Sequence, residues 1–205
     1  WKPKMITALA REYPEMDWKD IEQLTYGTRP HPIDGDEISS SEFGTSVHKI
    51  IEDIIDGKLS GEGRKYPAGC AFDPWAMPFI EWIKENDVKP ISCERLVANN
   101  RIKICGSVDS IGHDRDGYLF LADYKCRSNT KGKAKTYAKD CEQLAIESYM
   151  LMKKHNLDYL PACRSVVIDS GTKQHIHREW TGDQIRWGID NAKLCAKIYW
   201  NKRMN

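Results

Sequence analysis

Apolar residues follow a helical period in the first part of the chain and a strand period in its middle. Phe43, Val47, Ile50, Ile51, Ile54 and Ile55 form one helical stripe. Ser39 and Glu42, three apart, make a capping-box pair that opens this helix; it is expected to run to about Asp56, with Gly57 as its stop. At about 100° per residue, His48 falls on the border of the stripe and Glu52 one turn beyond it. Residues 75–86 predict a second amphipathic helix with Pro78 in or near its first turn. Residues 5–13 and 18–25 predict two short helices separated by Pro14 and Asp17, while 27–38 and 60–72 have loop composition.

The period then changes. Residues 91–98, 101–111 and 118–125 read as three strands, with turn residues at Asn99-Asn100 and from Asp114 to Gly117. A long helix is expected over 134–155, ending near Asn156. Two strands follow, 165–169 and 173–180, joined as a hairpin through Ser170-Gly171, and a last helix runs from Gly182-Asp183 to about Lys202. This order predicts an α/β fold, a mixed central sheet of about five strands flanked by helices, in one domain. Its parts are a helical region 1–88, a sheet and helix at 91–155, and a C-terminal hairpin and helix at 163–203.

Composition narrows the class. The 205 residues hold 31 Lys+Arg against 30 Asp+Glu, a formal charge of +1, which argues against a wholly basic nucleic-acid coat but says nothing about local patches. Hydrophobic residues at 40% and charged residues at 30% fit a globular protein. No apolar run is long enough to span a membrane, and the opening Trp1-Lys2-Pro3 carries no signal-peptide pattern. Seven cysteines include no C-x-x-C, so they read as reduced thiols of a cytoplasmic protein, with no zinc expected.

The chemistry concentrates in Cys105-Gly-Ser-Val-Asp109 and Leu119-Phe-Leu-Ala-Asp123-Tyr-Lys125. On adjacent antiparallel strands, Asp109 and Asp123 come side by side, and two carboxylates that close need a cation or a raised pKa. Hard oxygen ligands suit Mg²⁺ or Mn²⁺. Lys125, two residues from Asp123, points to the same face, where an ammonium orients water and offsets phosphate charge. The triplet alone means little: chance gives about three acid-x-Lys matches in such a composition, and four occur, at Lys19, Lys58, Lys89 and Lys125. Only the last ends an apolar strand with a second acid closing the strand before it.

In order and spacing, five features together resemble the PD-(D/E)xK nucleases, in the branch of the RecB nuclease domain and CRISPR-associated or mitochondrial single-strand exonucleases. They are Gly44-x-x-x-His48, Glu94, Gly106-Ser-Val-Asp109, Ala122-Asp-Tyr-Lys125 and Gln143, spread over about 41–149. The resemblance implies a restriction-endonuclease-like core and divalent-metal-dependent phosphodiester cleavage. It also implies metal ligation by His48, Asp109, Asp123 and the backbone carbonyl of Tyr124, with Lys125 activating water and Gln143 positioning Lys125 or substrate. The branch usually places a tyrosine four residues after the glutamine; here Glu147 stands there, and Tyr149 lies about 120° away on the helix. The closely spaced C-terminal cysteines of the iron–sulfur members are missing, so no cluster is expected.

Beside these assignments stand plainer ones. His48 has a second, less favoured reading as a helix histidine satisfied by a neighbour. Glu52 reads as solvated or second to the ligands, and Glu94 as a strand-face acid within reach of the site. His175 and His177 share one strand face without further ligand spacing. Arg127, Lys131, Lys133, Lys135 and Lys139 follow Lys125 with no acid before Asp140, a path for a phosphate backbone or a solvated loop. Tyr137, Trp75, Trp82 and Tyr118 are either base-stacking or core aromatics. The expected function is a metal-dependent deoxyribonuclease acting on single strands or duplex ends, in recombination, repair or phage DNA processing, with a recombination or replication protein as partner. The alternatives are an RNA-cleaving viral-type endonuclease, an inactive nucleic-acid-binding or complex-building module, and a non-nuclease metalloprotein.

Overall fold

The computed structural model describes residues 14–17, 28–30, 37–60, 73–127, 134–169 and 172–204. The helices expected at 5–13 and 18–25, nearly all of the 60–72 loop, and Lys131 and Lys133 lie outside these residues. Two short strands, β1 (Thr28–Pro30) and β2 (Glu37–Ser39), pair antiparallel where the sequence read as loop. Three residues each is too short for an alternating pattern to show.

Helix α1 (Ser40–Ser60) starts as its capping box dictates. The Ser39 amide donates to Glu42 Oε2 (3.0 Å) and the Glu42 amide to Ser39 Oγ (3.1 Å). It runs past Gly57, which is buried within it, so the glycine does not stop the helix. Helix α2 (Asp73–Glu85) contains Pro78 in its second turn. Strands β3 (Lys89–Asn99), β4 (Ile104–His113) and β5 (Leu119–Arg127) follow; residues 101–103, expected at the start of a strand, are turn. Gly117, at φ 83°, closes the β4–β5 turn in a conformation that favours glycine.

Helix α3 (Ala138–His155) ends at Asn156 in the left-handed conformation (φ 51°), as an αL cap requires. Strands β6 (Ala162–Asp169) and β7 (His175–Glu179) and helix α4 (Gly182–Met204) complete the order. The sheet runs β3-β4-β5-β6-β7 and is antiparallel except for β5–β6. A parallel pair needs a long crossover, which α3 supplies.

This is the mixed five-stranded sheet with flanking helices that the sequence predicts. Phe120, Ala122 and Tyr124 of β5, with Val166 and Ile168, face α1 and α2 in one core. Leu121 and Cys163 face α3 and α4 in the other. Central β5 is buried on both faces, hence its near-continuous apolar run. The acids at 109 and 123 and the lysine at 125 interrupt otherwise apolar positions, and they mark the site.

Candidate active site

Strands β4 and β5 pair from His113–Leu119 to Ser110–Ala122 and no further, although both continue. Asp109 is the first residue beyond the ladder on one strand and Asp123 the first on the other. Side chains take over in this fork. The Tyr124 amide donates to Asp109 Oδ2 (3.1 Å), and His48 Nε2 donates to the Tyr124 carbonyl (2.7 Å). A carbonyl only accepts, so Nε2 carries the proton and Nδ1 is the nitrogen left for a ligand.

Nδ1 lies 3.8 Å from both Glu94 Oε1 and Asp109 Oδ2, a charge-pair distance too long for a hydrogen bond. One ligand atom each from His48, Glu94 and Asp109 fall within 4.8 Å of one another, a spacing fit for an ion. Glu94 holds its place at φ 46°, left-handed in mid-strand, a conformation that costs a non-glycine residue about 1 kcal/mol or more. Its carboxylate accepts from Ser107 Oγ (3.0 Å). Burial works against an imidazolium at His48, but Glu94 and Asp109 outweigh it and raise the His48 pKa.

Asp123 is buried, with Oδ1 bonded to the Lys125 ammonium and Oδ2 without a hydrogen-bond partner among the described residues. A buried carboxylate oxygen without a donor is costly. Burial, and next the charge of Asp123, push Asp109 up to about 7. A divalent cation would answer both: it would fill the orphaned coordination of Asp123 and relieve the repulsion with Asp109. The donors, carboxylates with one imidazole, suit Mg²⁺ or Mn²⁺. Desolvation disfavours the charged form of Lys125, yet Asp123 and Asp109 more than compensate and raise its pKa, so it stays an ammonium.

Gln143, exposed on α3, donates to Glu147 Oε1 (3.3 Å) and has no bond to Lys125. Glu147 is the residue that sequence reasoning left without a role. It is buried, and burial pushes its carboxyl up to about 8 against the pull of the Gln143 amide. Gly106 makes room for it, since a Cβ there would sit 3.3 Å from Glu147 Oε1. The shared helix face of 143 and 147 was the available signal. Tyr149 packs under Lys193 (4.0 Å) at the α4 side.

Glu52 binds Lys49 (2.8 Å) rather than any of these groups. His175 pairs with Glu85 (3.1 Å), and His177 lies 6.4 Å from the Trp82 ring. Arg127 grips buried Asp140 through two bonds (2.6 and 2.8 Å), while Lys135 and Lys139 are exposed.

These groups set a pH dependence. Folded Asp109 and Glu147 keep protons that the unfolded chain releases in the ordinary carboxylate range, so stability falls as pH rises towards about 7 and 8 respectively. His48, held high, adds the same sign; His177, lowered by burial and by His175, opposes it. Metal-free protein is therefore expected to lose several degrees of Tm between pH 5 and 8. Mn²⁺ should raise Tm most at the alkaline end, where its ligands are deprotonated. A Tm that rises over this window, with the same Mn²⁺ shift at both ends, would contradict the assignment.

No helix among the described residues is long and apolar enough to cross a membrane. No family model matches the chain, and no curated protein matches it. Among solved structures it is similar to a candidate exonuclease from Eubacterium rectale, at 12% identity and a TM-score of 0.47, over 93% of this chain and 76% of that one. It is also similar to the protein SSO0001, at 14% identity and a TM-score of 0.35, over 74% of each chain.

Proposed function

We propose that this chain is a divalent-metal-dependent deoxyribonuclease, an exonuclease of DNA recombination, repair or phage DNA processing. The observation that carries this reading is the buried Oδ2 of Asp123, without a hydrogen-bond partner among the described residues, on a carboxylate that binds the Lys125 ammonium and whose charge acts on Asp109. Asp109, Asp123 and His48 would hold the ion. Glu94 would join them, because its ligand atom lies within 4.8 Å of those of His48 and Asp109. The Tyr124 carbonyl keeps a second lone pair for the ion beside the bond from His48. When bound, the ion supplies Lewis acidity towards a phosphoryl oxygen and the leaving oxygen.

The protein's own groups do the rest. Lys125, kept charged by two carboxylates, donates to the attacking water and to a non-bridging phosphate oxygen. The proton that water loses on attack passes to solvent water, and the leaving oxygen takes one from solvent as its bond to phosphorus breaks. The tie of Lys125 to Asp123 fixes its direction, so little reorganisation is needed as charge develops. Gln143 stands at the exposed rim, held by Glu147, where it contacts substrate. Exposed Lys135 and Lys139 offer cations to the phosphate backbone beyond the fork.

End-labelled single- and double-stranded DNA, linear and circular, incubated with Mn²⁺ or Mg²⁺ tests this. Wild type should degrade linear DNA, and Lys125→Ala should be slower by about 100-fold or more. No cleavage of any DNA sinks the proposal, and cleavage confined to RNA replaces it with a ribonuclease. Activity that survives Lys125→Ala unchanged assigns the chemistry elsewhere.

A further inference from the structure

Tyr137 lies just before α3 with 44% of its surface exposed. The Arg127 guanidinium sits 4.7 Å from its ring centroid, and the ammonium groups of Lys135 and Lys139 lie at 5.8 and 6.0 Å. Other exposed aromatics among the described residues lie elsewhere: Tyr118 and Tyr159 contact each other, and Trp187 and Tyr199 are on α4.

The support beneath the ring is rigid. Arg127 is fixed by buried Asp140 and by the Lys135 carbonyl (2.7 Å). The Ala134 amide donates to buried Asp169 (2.9 Å), and the Tyr137 amide to Asp140 Oδ2 (2.8 Å). Thus the segment 134–137 is tied down on both sides, and the ring is held by its backbone. Arg127 also follows Lys125 by two residues on β5, on the same face, about 7 Å along the strand. Asp140 is close enough that its charge acts on Lys125. The ring is therefore one step from the fork, with cations on the same side.

We propose that Tyr137 is a base-stacking platform: it takes one unpaired nucleobase of a single strand on its open face, while Lys135 and Lys139 take the flanking phosphates. Stacking on a fixed ring is tolerant of sequence, because every base has a π-face. A duplex, whose bases are stacked internally, offers it nothing. This rests on the nuclease reading and names the substrate form that the site accepts.

The test is binding of the full chain to a fluorescent, unstructured oligodeoxynucleotide with Ca²⁺ in place of Mg²⁺ or Mn²⁺. The same strand is also offered as a blunt duplex, and as versions with one abasic position stepped along it. Tyr137→Ala should weaken single-strand binding roughly 5- to 100-fold, while Tyr137→Phe keeps it. Wild type should show a matching loss at one abasic position, and Tyr137→Ala no further loss there. Duplex affinity should stay within about twofold in Tyr137→Ala.

Equal single-strand affinity of Tyr137→Ala and wild type overturns the platform, as does an abasic penalty that persists in Tyr137→Ala or an equal loss on duplex. In each case the nuclease reading stands. Failure of wild type to bind any nucleic acid overturns both. Because the Tyr137 backbone makes the cap bonds, thermal unfolding of the variants should match wild type.

Discussion

Asp123→Asn leaves a folded protein that cuts DNA about a thousandfold more slowly or worse. The amide keeps the volume of the carboxylate and its oxygen still accepts from Lys125, so the core around β5 is not disturbed. What it loses is the charge and the free oxygen that call for a cation. With that charge gone, one of the two causes that lift Asp109 disappears, and its carboxyl drops back towards the ordinary range. Two readings separate the site from the fold. Metal-free Tm should stay within a few degrees of wild type, and the Mn²⁺-induced rise in Tm should vanish. A variant that cuts at the wild-type rate, or keeps the full Mn²⁺ shift, removes Asp123 from the site.

Gly112→Val should cost about 3 kcal/mol of stability, roughly 6–12 °C in Tm for a chain of this size. A Cβ at Gly112 would come 2.7 Å from the Lys89 carbonyl oxygen and 2.8 Å from two atoms of the Phe120 ring. Neither neighbour gives way easily, because the first is backbone of β3 and the second is a ring buried against Trp82. The lost space is where β3 bulges between Pro90 and Ser92 to lie over β4. Thermal or urea unfolding checks this; a Tm within about 2 °C of wild type would show that the bulge absorbs the side chain.

The order and type of the main elements were legible because their periods are strong. The stripe from Phe43 to Ile55 and the apolar run of β5 each have one sensible burial. The bounds were less so: Gly57 carries a stop signal, but the helix continues and buries it. Propensity lost there to packing.

At the site, Asp109, Asp123 and Lys125 could be placed from sequence because strand alternation and a tight turn fix which residues face each other. Glu94 could not. Its direction depends on a left-handed residue in mid-strand, which a glutamate does not advertise. Glu147 was hidden for another reason: an acid on a helix is usually solvated, and only the close approach of Gly106 shows that this one is enclosed.

The early end of the β4–β5 ladder has a mechanical consequence. Where backbone pairs with backbone, two strands can separate only by breaking a cooperative run of bonds. Beyond Ser110–Ala122 the two strands are fastened to each other by the Asp109 carboxylate, while each keeps its backbone ladder on the outer side, β4 to β3 and β5 to β6 from Asp123–Ser165 to Arg127–Asp169. The two outer ladders thus hold the fork apart, and its inner edges are left to side chains rather than backbone.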